Sequence, residues 1–140
     1  MKRVRGKKLT ERARRATAVV ELAVVSPVMF AMLFGIIEFG WLFTVQHTMV
    51  NAAREGARFG IIQGVTTSEV TAQTLEFLEP MGLEGQVSIS VTNVETADVN
   101  DPFVEVTLTV PREDVSLVGN FFGFVGGTVE GSATMRKEGM

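Results

Sequence analysis

The sequence predicts an α+β protein in which a long N-terminal transmembrane helix leads into a short helix and a small three-stranded antiparallel sheet. Three observations support this fold class. An apolar run of 24 residues extends from Leu22 to Val45, three later segments alternate apolar and polar residues, and the two ends of the chain differ in charge. With 140 residues, the chain has room for one small domain beside a membrane segment.

The N-terminal segment is strongly basic. Residues 1–16 carry eight Lys or Arg residues and one Glu, whereas residues 64–140 carry three basic and twelve acidic residues. The positive-inside rule then predicts a cytoplasmic N-terminus and a C-terminal portion on the other side of the membrane. A basic cluster is also compatible with nucleic-acid binding, but no aromatic residue lies among these charges to stack on bases. We therefore expect no nucleic-acid partner.

The apolar run has the length of a membrane span. An α-helix rises about 1.5 Å per residue, so about 20 apolar residues cross a hydrocarbon layer of about 30 Å. The run from Leu22 to Val45 contains one charge, Glu38, and one proline, Pro27. We expect a basic cytoplasmic leader at residues 1–16, a long helix at residues 17–62 with its span at about 22–45, and an extracytoplasmic α+β domain at residues 63–140.

Small residues recur along the second half of this helix at intervals of four. Such spacing allows two helix backbones to approach closely. The alternative is that small residues are simply common in such helices. The candidate helix-packing residues are Gly40, Ala52, Gly56 and Gly60.

The remaining chain changes pattern. Thr66, Thr67 and Ser68 offer an N-cap for a short helix over Val70–Leu78, which Pro80 and Gly82 end. Three segments then alternate with period two, as half-buried strands do: Val87–Thr92, Val104–Val110 and Val129–Met135.

The expected loop from Pro111 to Gly127 is unusually apolar. It includes Phe121 and Phe122. An exposed apolar patch often marks an interaction site, whereas an apolar loop can also fold back to cover a small sheet. Both alternatives stay open at this stage.

Two carboxylates lie in or beside the apolar run. A charge at the centre of a bilayer costs at least about 2.5 kcal/mol, so such a residue is normally paired or functional. We expect Glu21 and Glu38 to take part in subunit pairing or assembly. Alternatively, Glu21 lies at the membrane interface without a partner, and a shifted helix lets Glu38 reach outward.

A polar face follows the span. Asn51, Glu55 and Arg58 fall at i, i+4 and i+7, which places them on one side of a helix. They form either a solvated, self-paired face or an interface with another protein of the assembly.

The composition argues against catalysis. The chain has no cysteine and one histidine, His47, so we expect no metal, no cofactor and no enzyme activity. The acidic loop from Glu95 to Asp101 offers carboxylate oxygens, but its spacing does not follow a calcium-binding EF-hand.

Several motifs occur in a specific order: RRATAVVEL at residues 14–22, then Pro27, then FGIIEFG at 34–40, then NAAREGAR at 51–58. Together they resemble the TadE-like family of tight-adherence (Tad/Flp) pilus proteins. The segment SATMR at residues 132–136 resembles the usual C-terminal strand of that family.

The resemblance implies a pilin-like architecture and a minor pilin or pseudopilin that helps to assemble an adhesive pilus at the bacterial inner membrane. It also implies cleavage by a prepilin peptidase between Ala16 and Thr17, which makes Glu21 the fifth residue of the mature chain. In pilins this glutamate meets the N-terminal amine of a neighbouring subunit. The implied partners are membrane lipid, other pilus subunits, assembly-platform proteins and the peptidase. The family has glycine where Ala16 stands and an aromatic residue where Leu22 stands.

Two other classes of function remain open. One is an unprocessed single-pass envelope anchor that presents a small binding domain. The other is a membrane-tethered enzyme with carboxylate chemistry in its outer domain, although no spacing in residues 64–140 indicates a catalytic pocket.

Overall fold

The expected α+β fold is confirmed in a computed structural model, which describes residues 3–95, 102–119 and 126–137, with side chains from residue 14 onward. The helices are α1 (Arg3–Gly60), α2 (Thr67–Leu78) and the short α3 (Arg112–Val115), and a 3-10 turn covers Glu79–Met81. The strands are β1 (Ser88–Thr92), β2 (Phe103–Pro111) and β3 (Thr128–Arg136). The chain divides into two compact units, Met1–Ile37 and Glu38–Met140.

The first unit contains the N-terminal part of α1. This helix begins at Arg3, well before the expected start at Thr17, because the basic segment is free of proline and consists largely of good helix formers. The large apolar side chains between Val19 and Ile37 are 38–70% exposed. A helix that is apolar on all sides needs a nonpolar surrounding.

Within the described part of the chain, one helix is long and apolar enough to cross a membrane, in the region Arg14–Gly60. This finding indicates a membrane-anchored protein.

The second unit begins at Glu38, where α1 changes character. Its buried side chains now fall on one stripe at steps of three and four residues, which is the period of a helix with one packed face. The stripe comprises Val45, Met49, Ala52, Ala53 and Ala57.

The sheet supplies the facing surface. Its strand order is β1-β2-β3, and both pairs are antiparallel, with Val91 opposite Val106 and Leu108 opposite Gly131. Along β2 the inward residues Val104, Val106, Leu108 and Val110 are fully buried, and more exposed polar residues stand between them. The alternation read from the sequence therefore does place the apolar side of the sheet in the core.

Helix α2 begins with a complete capping box. The Thr66 hydroxyl accepts a hydrogen bond from the Glu69 amide, and the Glu69 carboxylate accepts one from the Thr66 amide at 2.8 Å. Two otherwise unpaired amides are satisfied in this way, which fixes the start of the helix. The far end passes into the 3-10 turn at Pro80 and stops at Gly82, whose φ is +66°.

Helix α3 was not expected from the sequence, which predicted only a loop after Pro111. The strand ends at Pro111, which has no N–H to donate to the ladder, and Glu113 and Asp114 in the first turn favour a helix N-terminus after it. Val115 is buried at its end.

Candidate functional site

The expected processing site lies in the N-terminal part of α1. Ala16 and Thr17 are exposed, and Glu21, one helical turn after Thr17, is exposed as well. The expected cleavage point is thus accessible on the helix surface.

Glu38 binds the backbone of a distant loop. Its Oε2 atom accepts hydrogen bonds from the amides of Leu117 at 3.1 Å and Val118 at 2.9 Å. Arg112 adds a favourable electrostatic interaction with the carboxylate. The sequence suggested an intermolecular partner for this residue, whereas the structure gives it an intramolecular one, because the loop carries two amides that need an acceptor.

Trp41 reinforces the same connection. Its indole Nε1 donates a hydrogen bond to the Val115 carbonyl at 2.7 Å. Glu38 and Trp41 lie three positions apart, so they project from neighbouring turns of α1 toward one loop. Sequence reasoning missed Trp41. The available signal was a lone tryptophan near the end of the apolar run, where an indole N–H needs an acceptor.

The candidate helix-packing residues divide into two groups. Ala52 is fully buried, a Cβ at Gly56 would overlap the Thr74 hydroxyl, and a Cβ at Gly60 would lie 3.0 Å from a Val104 methyl group. Gly56 and Gly60 are small because α2 and the sheet of the same chain pack against them, and Ala52 belongs to the same buried core. A Cβ at Gly40 would meet nothing within 4 Å among the described residues. Among the described residues, nothing in the same chain therefore explains a glycine at this position.

The polar face after the span contains an ion pair. Arg58 Nε donates to Glu55 Oε2 at 3.0 Å, and Asn51 is exposed one turn earlier. This hydrogen bond lowers the pKa of Glu55 and raises that of Arg58. Self-pairing thus accounts for part of this face, and the pair contributes little stability because both groups contact solvent.

His47 contacts an aromatic ring in the described structure. Its imidazole meets Phe43 edge-on with centroids 4.3 Å apart. Across the described ranges, no cluster of three or more His, Cys, Asp or Glu side chains could hold a metal ion. Most of the acidic loop weighed as a calcium site, residues 96–101, lies outside the described residues.

Phe121 and Phe122 also lie outside the described residues. At the start of their loop, Leu117 is 59% exposed, whereas Val115 is buried.

Comparison with known proteins finds a similarity in the N-terminal helix. A family model described as TadE-like protein matches residues 16–58, which confirms the resemblance read from the motifs. The match begins at Ala16 and continues through Glu21 and Glu38 to Arg58. No curated protein and no solved structure matches the chain significantly. The similarity therefore extends over the N-terminal apolar helix, and residues 16–58 are similar to TadE-like proteins.

Proposed function

We propose that this protein is a minor pilin or pseudopilin that takes part in assembling a Tad/Flp-type adhesive pilus at the bacterial inner membrane. The observation that carries the proposal is the match of residues 16–58 to the TadE-like family. That segment includes the proposed cleavage point, Glu21 and the apolar helix, which are the parts that a pilin uses to enter the membrane and to meet its neighbours.

The exposed helix supports a role in assembly. Between Val19 and Ile37 its large side chains are exposed, so this segment needs lipid before assembly or neighbouring subunits afterwards. Transfer from one nonpolar surrounding to another is the physical requirement for moving a subunit from a membrane into a fibre.

In this proposal, Glu21 sets the register between neighbouring subunits in the fibre. After cleavage, the new amine of Thr17 on one subunit pairs with the Glu21 carboxylate of its neighbour. Opposite charges within about 4–6 Å favour both ionised forms in a nonpolar surrounding. Subunits in the wrong register leave both charges unpaired, which is costly in such a medium.

The second unit lies outside the cytoplasm in this proposal, because the basic leader stays inside. Its partners are other pilus subunits and the assembly platform. The surfaces we assign to them are Gly40 and the exposed face around Asn51, together with Phe121 and Phe122 by sequence alone. The proposed role is structural rather than catalytic.

Deletion and complementation test the role. Removal of the gene should abolish surface pili, and a plasmid copy should restore them. The control is a copy with Glu130→Gln on the outer face of the sheet, which should restore pili equally. The rival function, an unprocessed envelope anchor, predicts normal pilus numbers after deletion.

A further inference from the structure

We propose that the segment from Val115 to Gly119, named here the 115–119 loop, contacts the lipid interface on the outer side of the membrane. This inference rests on membrane insertion of α1 but not on pilus assembly. It assigns the contact of the second unit to a lipid surface, with Leu117 as the inserted side chain.

The position of the 115–119 loop follows from the chain itself. Glu38 directly follows Ile37 in the same helix, at the end of the stretch Val19–Ile37 whose large apolar side chains are 38–70% exposed. The amides of Leu117 and Val118 are bonded to Glu38, and the Val115 carbonyl is bonded to Trp41. We place the outer membrane interface on the part of α1 that directly follows Ile37, which is the part to which this loop is bonded.

The loop has an unusual division of polar and apolar groups. Several of its backbone groups bind side chains: besides the bonds to Glu38 and Trp41, the Gly119 amide donates to the Ser116 hydroxyl at 2.9 Å. Meanwhile Leu117 is 59% exposed. In water these bonds are optional, because water can also accept hydrogen bonds from the amides. Near hydrocarbon no water can satisfy an amide, so this arrangement suits lipid contact.

Exposed aromatic residues lie on the same stretch of α1 as Glu38 and Trp41. Phe39 is 75% and Phe43 is 61% exposed, and the half-buried Trp41 lies between them in sequence. Aromatic side chains are enriched where helices leave a membrane. The exposed carboxylates Glu113 and Asp114 precede the loop, so anionic headgroups offer it no net attraction. The contact is therefore apolar and independent of anionic lipid.

Spin labelling tests this contact, since the chain has no native cysteine. Three single-cysteine variants of the full chain are needed in phosphatidylcholine vesicles. Leu117→Cys probes the loop, Leu33→Cys reports insertion of the helix, and Ser132→Cys on the exposed side of β3 reports the aqueous side. Collisions with oxygen, which concentrates in lipid, are compared with collisions with a water-soluble nickel chelate.

We expect the ratio of oxygen collisions to nickel-chelate collisions to be several-fold higher at position 117 than at position 132. This collision ratio should stay unchanged when anionic lipid is added. Equal collision ratios at positions 117 and 132, together with a high, lipid-like ratio at position 33, would contradict lipid contact of the loop but not insertion of the helix. A water value at 33 would overturn the insertion on which the inference rests. Spin–spin broadening at 117 that persists on dilution into excess lipid would instead identify a second copy as the partner and overturn the proposal.

A second variant tests the positioning role of Glu38. Glu38→Ala removes the acceptor for two amides and should lower the ratio at 117 without changing that at 33, whereas Glu38→Gln keeps one carbonyl acceptor and should restore most of it. Circular dichroism of each variant verifies that the sheet is retained. An unchanged ratio at 117 in Glu38→Ala would contradict this role.

Discussion

Gly131 on β3 lies directly against the backbone of Met49 on α1, where a Cβ at position 131 would come within 2.7 Å of the Met49 carbonyl carbon. Backbone cannot move aside as a flexible side chain can. The helix and the sheet therefore approach as closely as they do because β3 has a glycine at this register position, opposite Leu108 of β2.

Gly131→Ala should destabilise the folded protein by about 1–3 kcal/mol, the usual cost of forcing an extra carbon into a packed core. Gly40→Ala is the matched control, since that position is open and alanine favours a helix by up to about 1 kcal/mol. Thermal unfolding of the two variants in detergent measures the difference. Equal melting temperatures would contradict the close approach of β3 to α1.

The capping box of α2 makes stability depend on pH. Hydrogen bonds from the Thr66 amide and hydroxyl lower the pKa of Glu69 below its ordinary value of 4.5. A lowered folded-state pKa gives stability that is present above the unfolded-state pKa and is lost as the pH falls through the folded-state value. The wild type should therefore lose melting temperature below pH 4.5 more steeply than Glu69→Gln does.

Glu130→Gln is the control for that comparison, because it removes a carboxylate on the outer face of the sheet rather than one in the cap. Its melting temperature should follow the wild-type pH profile. If Glu69→Gln also follows that profile, the cap does not contribute to acid sensitivity.

The fold was largely predictable from local pattern, and the contacts of the site were not. The period-two alternation around Val106 and the cap at Thr66 depend on neighbouring residues, which a sequence displays directly. The hydrogen bond between Glu38 and Leu117 joins residues 79 positions apart, and no local sequence pattern predicts such a pair. Gly131 offered a readable signal, because glycine inside a strand often marks a close backbone approach.

The small residues of α1 illustrate the same limit. Their spacing indicated close packing, but a stripe alone does not say which surface packs on it. Gly56 faces Thr74 of α2, whereas Gly40 faces open space among the described residues. Only the tertiary structure shows that Gly56 packs inside the chain, whereas Gly40 is open among the described residues.

Glu21→Ala should leave membrane insertion and folding intact but strongly reduce incorporation into pili. The substitution makes the helix more apolar, which favours insertion, yet it strands the amine of the neighbouring subunit. Fractionation measures insertion, and electron microscopy measures pilus number. Wild-type pilus numbers with Glu21→Ala would show that Glu21 does not set the subunit register.

The basic leader predicts the orientation of the chain. A reporter enzyme that is active only outside the cytoplasm should be active when fused after Met140, because the positive-inside rule keeps the N-terminal segment in the cytoplasm. The same fusion with Arg12, Arg14 and Arg15 changed to Glu should lose activity in part. Activity confined to a cytoplasmic reporter would reverse the proposed orientation.

The proposed pilin role depends most directly on the N-terminus of the mature protein. Co-expression with the cognate prepilin peptidase, followed by N-terminal sequencing of the membrane-bound chain, should give a protein that begins at Thr17, and Ala16→Gly should be cut at least as well. A chain that still begins at Met1, in cells where another substrate of the same peptidase is cleaved, would contradict the pilin role and favour the unprocessed anchor.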